Sequence, residues 1–123
     1  MEEQESIAVR KATLSGLLSF YGPLLTRTQR YMTGLFADED YSFTEIGEVC
    51  GVSRQSAFDT VSKAEKQMAG FEERLHMLSS YREEQQALGR CMTLTDPENQ
   101  LPPEKALTEI RKILLALLDK EDQ

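Results

Sequence analysis

Two helix-start signals, Ser42 and Ser53, lie so close together that only a short helix and a tight turn fit between them. The stretch reads SFTEIGEVCGVSRQSAFDTV. Ser42 and Glu45 form a capping box, in which each side chain satisfies the other's backbone amide. Gly51 follows Cys50 and suits the left-handed conformation that ends a helix. Ser53 then caps the next helix. Ile46 and Val61 are placed to form the core between the two helices. Gly47, lacking a side chain, lets them cross closely, and Val52 is expected to plug the space beneath the turn. These features in one register predict a helix-turn-helix.

The rest of the chain reads as helix too. Apolar residues recur at threes and fours, β-branched runs are scarce, and no proline falls between Pro23 and Pro97. A first helix is expected over about 5–21, with Ile7, Leu14, Leu17, Leu18 and Tyr21 on one stripe. Gly22-Pro23 breaks it. Thr26 and Gln29 form a second capping box, opening a helix with Tyr31, Met32, Leu35 and Phe36 inward. Beyond Ser53, the residues Ala57, Val61, Ala64, Met68, Phe71, Leu75 and Leu78 alternate steps of four and three, a heptad seam. One unbroken helix is therefore predicted over Arg54–Leu88, its second half covered by the N-terminal helix or by another subunit. Residues 93–103 form a proline-containing linker. Residues 104–120 form a last amphipathic helix, with Leu107, Ile110, Ile113, Leu114, Leu117 and Leu118 on its apolar face. The predicted fold is all-α and without a wing: a helix-turn-helix domain over 1–92, the linker, and the C-terminal helix.

Charge and composition narrow the function. The chain of 123 residues has a formal net charge of −7, where proteins that grip phosphate backbones usually carry a basic patch. Cys50 and Cys91 lack the spacing of a zinc site or a disulfide framework. The opening MEEQES is acidic where a secretory signal would be basic. The longest apolar run, Ile113–Leu118, is too short to span a bilayer. A cytoplasmic protein without membrane insertion is expected. The single histidine, His76, has no second ligand or nucleophile beside it and reads as a surface residue on the outer turns of the long helix. Glu72, Glu73, Glu83 and Glu84 read as a solvated face. No enzyme, cofactor or metal site is predicted.

The candidate contacts lie at the start of the second helix. Arg54 and Gln55 are suited to base or phosphate contacts, and Ser53 to donating to a phosphate. Lys63 lies further along the exposed side. Arg27 and Arg30, with Arg10 and Lys11 further back, form a second basic group placed to touch a duplex backbone. Phe58 fits either stacking on an unpaired base or burial against protein. Asp59 would repel a phosphate and is expected to pair with Lys63 one turn on.

The segments FYGPLLTRTQR, YSFTEIGEVCGVSRQSAFDTVSKAEK and FEERLHML resemble the YlxM-like family of small bacterial helix-turn-helix proteins, which are similar to region 4 of sigma factors. The resemblance covers about residues 12–78, and Asp59 belongs to the family pattern. Phe58 stands where tyrosine is usual, and Ser62 where a basic residue is common. The resemblance implies an accessory or regulatory role in the signal recognition particle (SRP) pathway. Its implied partners are the SRP RNA and the SRP GTPases. A DNA-binding transcriptional regulator and a protein-interaction adaptor are the alternative readings. A homodimer is expected, because the seam and the last helix offer more apolar surface than one small domain hides.

Overall fold

The computed structural model describes the backbone of residues 2–121 and the side chains of residues 6–119. Among the described residues, six α-helices follow in order: α1 (Glu2–Tyr21), α2 (Arg27–Ala37), α3 (Phe43–Cys50), α4 (Arg54–Leu75), α5 (Met77–Leu94) and α6 (Pro103–Glu121). A 3₁₀ turn over Gly22–Leu24 joins α1 to α2, and no strand occurs among the described residues. The protein is thus all-α. The chain divides into two compact units, Met1–Leu78 and Ser79–Gln123.

The core of the first unit is built from Leu14, Leu17 and Tyr21 of α1, Met32 and Phe36 of α2, Ile46 of α3, and Ala57, Val61 and Met68 of α4. Both capping boxes form, at Thr26/Gln29 and at Ser42/Glu45. Two residues expected inside face outward instead. Ile7 and Tyr31 are each about half exposed, because the helices packed on α1 and α2 cover narrower stripes than the periodicity alone suggests.

The crossing of α3 and α4 is set by backbone contact. Gly51 has φ +70°, in the left-handed region. The Val52 amide donates to the Gly47 carbonyl at 2.9 Å. A Cβ added to Gly47 would sit 2.7 Å from the Val52 carbonyl oxygen, so only glycine admits this approach. Ile46 and Val61 are fully buried, as expected. The Val52 side chain does not plug the turn. It is 37% exposed, since its backbone already fills the gap that Gly47 leaves.

The predicted single helix over Arg54–Leu88 is broken. α4 ends at Leu75, and His76 takes φ +53°. The His76 amide donates to the Glu72 carbonyl, closing α4. The first amides of α5 are then taken up by side chains from elsewhere. The fully buried Tyr21 donates its hydroxyl to Glu72 Oε1 at 2.6 Å and accepts from the Met77 amide at 3.2 Å. Glu72 Oε1 also accepts from the Leu78 amide at 2.9 Å. Glu72, on α4, thereby caps α5. The break turns Leu75 out to 55% exposure and buries Leu78. Burial, and then the bond to Glu72, holds the Tyr21 hydroxyl above its ordinary pKa.

In the second unit α5 buries Ala87, and α6 buries Ala106 and Ile113. The wide apolar face read from α6 is only partly covered. Leu107, Leu114 and Leu118 remain about half exposed or more, as do Leu88 and Met92 of α5.

Candidate nucleic-acid interface

Ser53 caps α4 by accepting from the Ser56 amide at 3.0 Å, which commits its hydroxyl oxygen and sets the direction in which Arg54 and Gln55 leave the turn. Arg54 and Lys63 are exposed, as are Arg27 and Arg30 at the start of α2. None of these four cations has an ion pair among the described residues. Arg27 lies within the Thr26/Gln29 capping box and Arg30 directly after it, so the local helix start holds both in the first turns of α2.

Arg10 and Lys11 behave differently. Arg10 binds the Glu65 carboxylate through two nitrogens, at 3.1 and 3.0 Å. Lys11 pairs with Asp40. Both stand over the Phe36 ring, at 5.4 Å for Arg10 and 4.9 Å for Lys11. These two cations hold α1 to α4 and to the α2–α3 loop, so the basic group they were expected to join reduces to Arg27 and Arg30.

Asp59 is not paired with Lys63. It accepts instead from the Gln55 amide nitrogen at 2.9 Å, also one turn away along α4. This bond draws Gln55 along the helix and offsets part of the exposed carboxylate's cost beside a phosphate. Phe58 meets Phe43 edge to face, with centroids 5.2 Å apart, and Phe43 stacks on Phe36 at 4.7 Å. Of its two readings, the structure favours packing against protein, although Phe58 keeps 38% of its surface exposed.

Further cations lie beyond the predicted set. Lys66 and Arg74 are exposed on the second half of α4, again without an ion pair among the described residues. Sequence reading passed over Arg74 because it falls outside the turns that enter a groove. Its signal was there in the spacing: 63, 67, 70 and 74 repeat in steps of four, three and four along one face. Among the described residues, no group of three His, Cys, Asp or Glu is placed to hold a metal, and no helix is long and apolar enough to cross a membrane.

Close helix crossing at Gly47, a left-handed turn at Gly51 and a capped second helix with its first turns exposed define a helix-turn-helix protein. The sequence comparisons agree. Residues 8–110 match the family described as "Putative helix-turn-helix protein, YlxM / p13 like", and the chain belongs to that family. It is 31% identical over 117 residues to a UPF0122 protein of Latilactobacillus sakei, covering 93% of this chain and 96% of the relative. It is 40% identical over 109 residues to a UPF0122 protein of Streptococcus gordonii, covering 89% and 93%. A UPF0122 protein of Desulforamulus reducens is 33% identical over 104 residues, covering 85% and 89%.

Proposed function

We propose that the protein is a cytoplasmic, non-enzymatic accessory factor of the SRP pathway that binds structured RNA through its helix-turn-helix. The observation that carries the reading is the division of the cations. Arg10 and Lys11 are engaged inside the fold, while Arg54, Lys63, Arg27 and Arg30 are exposed without ion pairs among the described residues. Residues 1–78 are acidic overall, with 8 lysines and arginines against 12 acids, so these exposed cations support the reading as local points where a phosphate backbone would meet unspent positive charge. The Gln55–Asp59 bond argues against tight reading of duplex sequence, because it occupies the side chain best suited to a base edge.

The test uses the full chain and labelled SRP RNA, with duplex DNA and the SRP GTPases as separate arms. Affinity for the RNA should fall steeply as salt rises, duplex DNA should compete poorly, and Arg54→Ala should weaken binding. A flat salt response, or no RNA binding at low salt, overturns the reading. Capture of a GTPase without RNA would favour the adaptor alternative, and preference for the duplex would favour a transcriptional regulator.

The same reading includes a homodimer. The second unit leaves Leu107, Leu114 and Leu118 largely outside, together with Leu88 and Met92. Two helices with so few buried side chains gain stability by covering that surface with a second copy. Sedimentation at micromolar concentration should give the mass of two chains; a monomer would refute this.

A further inference from the structure

Among the described residues, no neighbour requires glycine at position 70. It lies in the body of α4, where glycine is less favourable than alanine. A Cβ added there meets nothing within 4 Å, so no neighbouring helix requires the missing side chain. Gly47 is the contrast, since its place in the fold does demand glycine. Beside Gly70 runs a groove of about 320 Å³, lined by Leu24, Lys66, Gln67, Gly70, Phe71 and Arg74. Lys66 and Arg74 stand at either end, about 12 Å apart along the helix. Lys63 continues the basic face one turn earlier. Leu24 is exposed and Phe71 partly buried, so the walls between the cations are apolar. Two of the acids on α4 are engaged elsewhere: Glu65 holds Arg10, and Glu72 holds the Tyr21 hydroxyl. Glu73 is the exposed acid beside Arg74.

We propose that this groove is a second contact site, which takes a stretch of RNA backbone. Lys66 and Arg74 meet phosphates, Leu24 and Phe71 meet the sugars, and the bare helix at Gly70 lets the chain lie close. The inference rests on the nucleic-acid reading above and adds a separate contact surface, since Lys66, Gly70 and Arg74 lie on the side of α4 away from Arg54. A sugar-phosphate chain suits the site because it carries separated negative charges on a narrow, partly apolar ribbon.

The experiment measures binding of the full chain to SRP RNA and, separately, to duplex DNA across a salt series, alongside thermal unfolding. Lys66→Ala and Arg74→Ala should each lower the slope of log affinity against log salt by about 1. Gly70→Gln should raise the melting temperature by about 4 °C, because glutamine is the better helix former. The same variant should bind more weakly, because its side chain fills the groove. The two readouts move in opposite directions, which a purely structural role for Gly70 would not produce. The RNA should bind more tightly than the duplex; tighter binding of the duplex would overturn the assignment of the groove to RNA. Silent Lys66→Ala and Arg74→Ala beside a damaging Arg54→Ala would overturn the groove and leave the helix-turn-helix reading standing. Weakened lysine and arginine variants beside a silent Gly70→Gln would also overturn it, reducing the cations to a diffuse field. No salt-dependent binding of either probe by the unaltered chain would overturn both.

Discussion

Of the three residues that the first unit holds in the left-handed region, Asp40, Gly51 and His76, the two that close helices, Gly51 and His76, are held there in opposite ways. At the end of α3 the residue is Gly51, φ +70°, for which the conformation is nearly free. At the end of α4 it is His76, φ +53°, for which the same conformation costs roughly 1–2 kcal/mol. The first turn is specified locally. Gly51 permits it, Gly47 accepts the returning backbone, and Ser53 starts the next helix. The second is specified from a distance. Tyr21 lies 51 residues from Glu72 in sequence, yet its hydroxyl and the Glu72 carboxylate together take up the amides of Met77 and Leu78. A turn can thus be written into neighbouring residues, or imposed on an unwilling residue by a buried polar clasp.

Substitutions break the comparison in a definite order. Gly47→Leu should have the largest effect, a loss of about 3 kcal/mol, because the new side chain begins 2.7 Å from a backbone oxygen that has no freedom to withdraw. Hydrogen exchange at the Val61 and Met68 amides would read this as lost protection across the first unit.

Tyr21→Phe should come next, at about 2 kcal/mol. It removes the donor to Glu72 and the acceptor for Met77, leaving polar groups of the break without partners. This clasp also has a pH signature. The folded-state pKa of Tyr21 lies above its ordinary value near 10, so its contribution is complete below pH 10. It is lost as pH rises from there through the raised value. Urea midpoints of the unaltered chain should fall above pH 10, and Tyr21→Phe should flatten that decline. An equal decline in both proteins would remove Tyr21 from the account.

The smallest effects form a mirror pair. Gly51→Ala should destabilise by about 1 kcal/mol and His76→Gly should stabilise by about the same amount. If His76→Gly were destabilising, the histidine would be contributing contacts that outweigh its backbone strain. Circular dichroism melts of the two variants would decide the sign.

The same contrast explains what could be read from sequence. The helix-turn-helix was legible because its determinants lie within a few residues of one another: two serine caps, a capping box and two glycines. Both capping boxes appear where Thr26/Gln29 and Ser42/Glu45 announced them. The break at His76 was not legible. The heptad spacing runs on from Phe71 through Leu75 to Leu78, and neither glycine nor proline interrupts it at residue 76. A contact between Tyr21 and Glu72 leaves no periodic trace in a single sequence. Val52 was misplaced for a related reason, since apolar character suggested a plug where the backbone itself does the filling. In the candidate interface the exposure of Arg54 and Lys63 followed from helical phase. The engagement of Arg10 with Glu65 and of Gln55 with Asp59 did not, because several partners stood within reach of each.

We propose that Lys63, Lys66 and Arg74, exposed and without ion pairs among the described residues, form one strip along α4 that meets nucleic acid, with Arg54 on the other side of the helix. Amide spectra of the full chain, titrated with SRP RNA, test it most directly. The shifting signals should trace two patches of the first unit, one at Arg54 on the first turn of α4, the other along Lys63, Lys66, Gly70 and Arg74 on the opposite side of that helix. Shifts confined to residues 79–123, or a spectrum unchanged at saturating RNA, would contradict it.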